Sequence, residues 1–312
     1  MAGLPSSGAP AMTHPDIGLI GYGEVGKILS SALKAQEVGW VGAWDLRFAD
    51  PAVADRELQH AASHRIEACT SARQVCQRAG LILSAVTASN TLAVAEEVAG
   101  AIRPGTIFLD LNSASPGTKQ AAAALIDTAG GHYVEAGVMT SVPPYGIRVP
   151  MLLGGAHAEA LAERLKPYGF DMTPVSASIG VASATKMARS IMIKGLEALV
   201  IESYTTARRY GVEDAMIATL RETFPGVDWT KQGAYLFSRV VQHGRRRAEE
   251  MREAARTVEE AGAPPLMAAA IAEKHDWVAS LAKEGRFDGI AADARWQDYA
   301  DRLLGSDRLL KQ

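Results

Sequence analysis

Ile17-Gly18-Leu19-Ile20 runs directly into Gly21-Tyr22-Gly23-Glu24-Val25-Gly26, and Lys27 to Lys34 then follow a helical pattern. A short apolar run, three glycines spaced GxGxxG and a helix allow one kind of beginning: a strand, a tight turn and a helix with a bare N-terminus. Gly21 permits the turn, Gly23 lets backbone approach a diphosphate, and Gly26 lets the helix sit close on the strand. Exposed N–H groups at the helix start then receive negative charge. Tyr22, Glu24 and Val25 complete this turn, which is assigned to a dinucleotide. A glycine turn without a ligand is the plainer reading, and the flanking strand and helix weigh against it.

Further apolar runs at Trp40 to Trp44, Leu81 to Val86, Thr106 to Leu111, Tyr133 to Met139 and Met151 to Leu153 alternate with helical patterns. The runs are continuous rather than alternating, as in strands covered by helices on both faces, so an α/β fold with a parallel, doubly wound, Rossmann-type sheet is expected. After Ser176 strand-like runs cease. Ala182 to Arg209 reads as one long helix, and further helices follow near Glu213 to Glu222, Gly233 to Glu260, Leu266 to Lys283 and Ala294 to Leu304. The expected organisation is a loose tail over 1–15, a dinucleotide-binding domain over 16–178 and an all-helical domain over 179–312.

The 312 residues are 48% hydrophobic, enough for a large core and against disorder as the main state. With 32 basic and 35 acidic side chains the net charge is −3, which gives no positive field for nucleic acid or an anionic membrane. Small molecules and further copies of the chain, as a homodimer, are the expected partners. Cys69 and Cys76 make neither a disulfide framework nor a metal motif and read as packing residues of a protein in a reducing, cytoplasmic compartment; no metal site is expected. No apolar stretch is long enough for a spanning helix, because Ile191 to Ile201 is broken by Lys194 and Glu197. Residues 1–15 lack the basic start and apolar centre of a secretory signal.

Asp45 closes the second apolar run, where a carboxylate accepts hydrogen bonds from adenosine ribose hydroxyls, favouring NAD. Arg47 leaves NADP open, since a guanidinium can pair with a 2′-phosphate that Asp45 repels. A solvated ion pair is the plain alternative for both. Val86 and Thr87, closing the run from Leu81, are also placed at the cofactor.

Gly21 to Gly26, Leu109-Asp110-Leu111-Asn112-Ser113-Ala114-Ser115-Pro116 and the segment Gly180 to Ser190 with Lys186 occur in an order that resembles the β-hydroxyacid dehydrogenases, which include 3-hydroxyisobutyrate, tartronate-semialdehyde and 6-phosphogluconate dehydrogenases. His243-Gly244-Arg245-Arg246-Arg247-Ala248-Glu249-Glu250-Met251 resembles the helical C-terminal domain of a branch of phosphogluconate-dehydrogenase-like NAD-binding proteins of unknown substrate. The resemblance implies that Asn112 and Ser113 lie where nicotinamide and substrate meet, that Lys186 is catalytic, and that the helical half mediates dimerisation. A polar loop after Thr106 to Leu111 also opens at the carboxyl edge of the sheet, where ligands bind in such folds. Helix capping is the alternative reading of this loop, with Ser115 as N-cap and Pro116 at the first helical position.

Lys186 carries the mechanism. Hydride transfer to or from a carbinol carbon requires a proton to join or leave the oxygen, so an acid/base of tunable pKa is needed. Val181, Ala182, Ala184, Met187 and Ile191 surround Lys186 in sequence, and desolvation lowers an ammonium's pKa toward neutrality. Lys186, Ser190, Ile193 and Glu197 share a helical stripe. Two departures stand out. The family places Asn four residues after its lysine, where this chain has Ser190. Its glycine-rich substrate turn is here Glu135-Ala136-Gly137-Val138-Met139-Thr140-Ser141, in which Thr140 and Ser141 offer hydroxyls and Met139 a more apolar wall. Lys194 is read either as an anion-binding group or as a solvated side chain, with solvation favoured.

Arg245/Glu249 and Arg246/Glu250 stand at i,i+4 spacing and read first as an exposed face of ion pairs. The sharper alternative has His243, Arg247 and Glu250 closing over the substrate, with Arg247 gripping an anionic group. Val241, Ala248, Met251, Ala255 and Val258 form the opposing apolar seam. The whole reads as an NAD(P)-dependent oxidoreductase acting on a small hydroxyacid-like compound, in a site between the two domains, with Lys186 as general acid/base. The alternatives are an imine reductase or an oxidative decarboxylase on the same scaffold, or a non-catalytic NAD-binding protein. A methyltransferase using S-adenosylmethionine does not account for the long Lys186 helix and the helical half that follows.

Overall fold

A computed structural model describes residues 15–36 and 38–305. The expectation of a loose tail over 1–15 therefore falls almost wholly outside the described residues. In chain order the elements are β1 (Ile17–Ile20), α1 (Glu24–Ala35), β2 (Val41–Trp44), α2 (Ala54–Ser63), β3 (Glu67–Ala68), α3 (Ala72–Arg78), β4 (Leu81–Ser84), α4 (Thr91–Ala99), β5 (Ile107–Asp110), α5 (Pro116–Thr128), β6 (His132–Val138), β7 (Met151–Gly154), α6 (Ala158–Leu165) and β8 (Met172–Ser176). There follow α7 (Val181–Tyr210), α8 (Glu213–Thr223), α9 (Trp229–Glu260), α10 (Leu266–Lys283) and α11 (Trp296–Leu304).

The strands form one sheet in the order β3-β2-β1-β4-β5-β6-β7-β8. The reversal of strand order between β2 and β4, on either side of β1, is the doubly wound arrangement expected from the apolar runs. Pairing is parallel except between β6 and β7, which run antiparallel with Glu135 opposite Gly154 and Val138 opposite Met151. The reason is local: the link from Met139 to Pro150 contains no α-helix to carry the chain back across the sheet, whereas α6 does so between β7 and β8. β3 and β8 lie at the two edges, beyond the strands expected from sequence. β8 is half exposed, alternates in burial and contains Pro174, so it lacks the continuous apolar signature of the inner strands.

The chain forms two compact units. One gathers the residues up to Val86, Leu92–Leu111 and Ala122–Ser178; the other gathers Thr87–Thr91, Asn112–Ala121 and the residues from Ile179 onward. The first has a core of Ile17, Leu19, Leu81, Leu83, Leu109 and Val134 from the strands with Leu29, Leu33 and Leu161 from the helices. Both cysteines are buried, which raises the Cys69 thiol to about 11 and the Cys76 thiol to about 12. In the second unit, α7, α9 and α11 enclose Tyr204, Phe237, Val240 and Trp296, while α7, α9 and α10 enclose Met187, Met251, Ala254 and Ile271. Ala248 and Met251 of the expected α9 seam are fully buried. No helix among the described residues is long and apolar enough to cross a membrane.

Candidate active site

Strand β1 delivers the glycine turn. Gly21 adopts φ +97°, and a Cβ there would collide with the Ala85 carbonyl oxygen, so both its conformation and its space demand glycine. Gly26 sits against the Gly21 carbonyl oxygen, and any side chain would push α1 away from the strand. Gly23 faces open space, with nothing within 4 Å of where a Cβ would stand. A bare helix start beside that space fits a diphosphate. Tyr22 is buried, with its hydroxyl 2.9 Å from His60 Nδ1, and burial raises its phenol to about 12. Glu24 and Val25 open α1.

Asp45 follows β2 and is already engaged: its carboxylate accepts the Tyr22 N–H at 2.6 Å and the Arg47 N–H at 2.8 Å. Arg47 differs from the expectation of a guanidinium open to a phosphate, because it is paired with buried Glu57 of α2, as are Lys27 and Arg56. Neither Glu57 nor Lys27 was singled out in the sequence. An acid in the first turn of a helix, with Asp55 beside it, gives no sign that three cations converge on it. Val86 packs beside Gly21, while Thr87 is exposed and belongs to the second unit, where its hydroxyl accepts from Asn90 at 2.8 Å.

In the second unit the Lys186 ammonium donates to Ser113 Oγ at 2.5 Å. Burial lowers the amine from the usual lysine range to about 7; Glu250 opposes the shift, and Lys119, Lys194 and Arg246 add to it by like-charge repulsion. An amine of that kind is populated in both protonation states near neutrality. Asn112 is buried beside Ser113 in sequence. Ser115 caps α5, its hydroxyl accepting the Thr118 N–H at 3.2 Å, as expected. The loop is also tied to α9: the Ser115 N–H donates to Glu253 at 2.8 Å, and Ser115 Oγ and the Gly117 N–H donate to Glu260 at 2.7 and 2.9 Å. These bonds are why 112–121 groups with the helical unit although it lies within the span 16–178.

Three expectations about this unit need correction. Lys194 is not solvated: it is 7% exposed, pairs with Glu250 at 2.8 Å and approaches Ser190 Oγ at 3.4 Å. Arg247 is not an open grip for an anion, because it makes a two-pronged pair with buried Glu197 that includes Nε to Oε2 at 2.8 Å. Ile193 turns out to solvent, so the inward stripe of α7 is Lys186, Ser190, Lys194 and Glu197. Arg247 thus serves Glu197, Glu250 pairs with Lys194 while its field reaches both Lys186 and Arg247, and His243 is half-buried. Arg245/Glu249 remains an exposed-face contact at 4.0 Å. His275 of α10, not anticipated, lies fully buried 3.6 Å from Glu197, and burial lowers its imidazole to about 3. Met139, Thr140 and Ser141 leave β6 in the first unit, half-buried to exposed. Among the described residues no cluster of three or more His, Cys, Asp or Glu could hold a metal ion.

A Rossmann-type sheet with a diphosphate-ready glycine turn, followed by a helical half carrying a near-neutral lysine, defines a nicotinamide-dinucleotide-binding protein. The family described as the NAD binding domain of 6-phosphogluconate dehydrogenase matches residues 16–162, and a domain of unknown function, DUF1932, matches 207–278. A conserved hypothetical protein from Sinorhizobium meliloti 1021 is 36% identical, covering 94% of this chain and 96% of its own, with a TM-score of 0.74. A conserved protein of unknown function, described as structurally similar to 3-hydroxyacid dehydrogenases, is 30% identical over 88% of this chain and 100% of its own, with a TM-score of 0.66. The Mycobacterium tuberculosis 3-hydroxyisobutyrate dehydrogenase, solved with L-serine, shares the fold at 16% identity, a TM-score of 0.64 and coverage of 93% and 99%. The chain belongs to the β-hydroxyacid dehydrogenase superfamily of NAD(P)-dependent oxidoreductases.

Proposed function

We propose that this protein is a dehydrogenase that interconverts a small hydroxy compound, hydroxyacid-like in character, and its carbonyl form, with Lys186 as general acid/base. The observation that carries the proposal is the Lys186 amine, brought to about 7 and hydrogen-bonded to Ser113 on the loop that leaves β5. In this reading Gly21 to Gly26 hold the diphosphate and Asp45 the adenosine ribose, with NAD preferred over NADP. Nicotinamide, when bound, supplies or accepts the hydride. Lys186 takes the hydroxyl proton during oxidation and returns it during reduction. Ser113 orients the amine, and the buried Lys194/Glu250 pair adjusts its charge. Ser190 is too short to do the work of an amide, so the substrate is gripped differently from that of relatives with Asn at this place, with Met139 supplying a more apolar wall and Thr140 and Ser141 hydroxyl groups.

The same proposal has the protein working as a homodimer. Met192, Leu196 and Leu199 follow one face of α7 and are 74%, 39% and 58% exposed, an apolar stripe suited to a second copy.

The test is a screen of hydroxyacids, other small alcohols and imines with NAD and NADP, repeated with Lys186→Ala. The proposal expects turnover of a hydroxy compound that falls by roughly 10²–10⁴-fold in the variant while NADH binding persists. Undiminished turnover in Lys186→Ala would remove the acid/base role, and turnover of imines alone would replace the substrate class.

A further inference from the structure

Three cations of the first unit converge on one carboxylate. Glu57 of α2 is fully buried, Arg56 reaches it at 3.0 Å, and Lys27 and Arg47 pair with it more closely still. Burial works against the charged form of Glu57, but hydrogen bonds from Lys27 and Arg56 and the field of Arg47 hold its carboxyl below the usual range. Glu57 is therefore ionised at neutral pH and depends on these partners. Arg47 is held at both ends, its backbone N–H by Asp45 and its guanidinium by Glu57. To turn fully onto a ligand phosphate, that guanidinium would have to give up or share its charge-assisted bond to a buried acid, which is costly because it weakens one of the three cations that keep the acid ionised.

We propose that Glu57 is a specificity-determining residue for the nucleotide: by holding Arg47 it withholds that guanidinium from a 2′-phosphate and keeps the turn selective for the dinucleotide that lacks one. The inference rests on the dinucleotide reading given above. Asp45 repels a phosphate directly, while Glu57 acts at one remove by occupying the side chain that would otherwise attract it.

Fluorescence titration of the 312-residue chain with NADH and NADPH tests this without a known substrate. The wild type should bind NADH about tenfold or more tightly than NADPH. Glu57→Gln, which removes the charge that holds Arg47 and leaves only a neutral acceptor, should tighten NADPH binding by about tenfold and leave NADH within about threefold. Adding Arg47→Gln to that variant should cancel the gain. Arg47→Gln alone keeps the proposal testable even if the buried Glu57 substitution fails to fold, and it should leave the NADPH-to-NADH ratio unchanged. A selective loss of NADPH binding in Arg47→Gln alone, or no change of preference in folded Glu57→Gln, would overturn the proposal. A wild type that binds neither nucleotide would instead defeat the dinucleotide reading itself.

Discussion

Lys194 Nζ of α7 stands 2.8 Å from Glu250 Oε2 of α9, and both side chains are largely withdrawn from water. The pair sits within the electrostatic reach of Lys186, and its members act on that amine in opposite senses: Glu250 favours the ammonium and Lys194 disfavours it. Lys119 of α5 and Arg246 of α9 push in the same direction as Lys194.

Removing either member should therefore move Lys186 in a predictable direction. Glu250→Gln takes away the attraction and should shift its ionisation about one unit below that of the wild type; Lys194→Met should shift it upward by a similar amount. The pH dependence of acetic anhydride labelling at Lys186, followed by peptide mass spectrometry, reads both. Shifts of the same sign would contradict the arrangement.

A lysine held at about 7 costs the fold stability. Its folded pKa lies below the unfolded value of 10.5, so between pH 7 and 10.5 the unfolded chain binds the extra proton. Stability from this group is present above pH 10.5, is lost as pH falls through that window, and is fully lost below pH 7. Lys186→Met should accordingly stabilise the protein by about 2–4 kcal/mol at pH 6.5 and by little near pH 10.5. Urea denaturation at the two pH values checks it, and an equal effect at both would count against a depressed amine.

Glu253 holds the loop that follows β5 through a backbone N–H. Its carboxylate accepts the N–H of Ser115, a residue with no exposed surface, so Glu253→Ala strands a buried donor. The expected loss is about 1–3 kcal/mol, with Glu253→Gln costing less because an amide oxygen still accepts. Denaturation midpoints of the two variants give the comparison.

The apolar face of α7 should be covered in solution. Sedimentation should give a dimer for the wild type, and Met192→Asp combined with Leu199→Asp should yield monomers that retain their helical signal. A monomeric wild type would remove that part of the proposal.

Much of this was legible in the sequence, and the limits were physical. The turn from Gly21 to Gly26 could be read because each glycine answers a local demand, whereas Lys186 was singled out chiefly through the resemblance to the β-hydroxyacid dehydrogenases, with apolar neighbours in sequence that favour a lowered amine pKa. Long-range pairing could not be read. Nothing near Lys194 indicates that Glu250 lies across from it, so a buried lysine looked solvated; nothing near Arg47 or Arg247 reveals Glu57 or Glu197, so two committed guanidiniums looked open. The antiparallel pairing of β6 with β7 departs from the parallel sheet expected from the apolar runs, because continuous apolar runs carry no direction, and β3, only two residues long, left almost no trace.

The most direct measurement of the central claim is chemical rescue. With a hydroxy compound identified by the screen, Lys186→Ala should lose roughly 10²–10⁴-fold in kcat while its affinity for NADH stays within about twofold, and added ethylamine should restore part of the rate in proportion to the free-amine concentration. A variant that turns over at the wild-type rate with no amine present would contradict it.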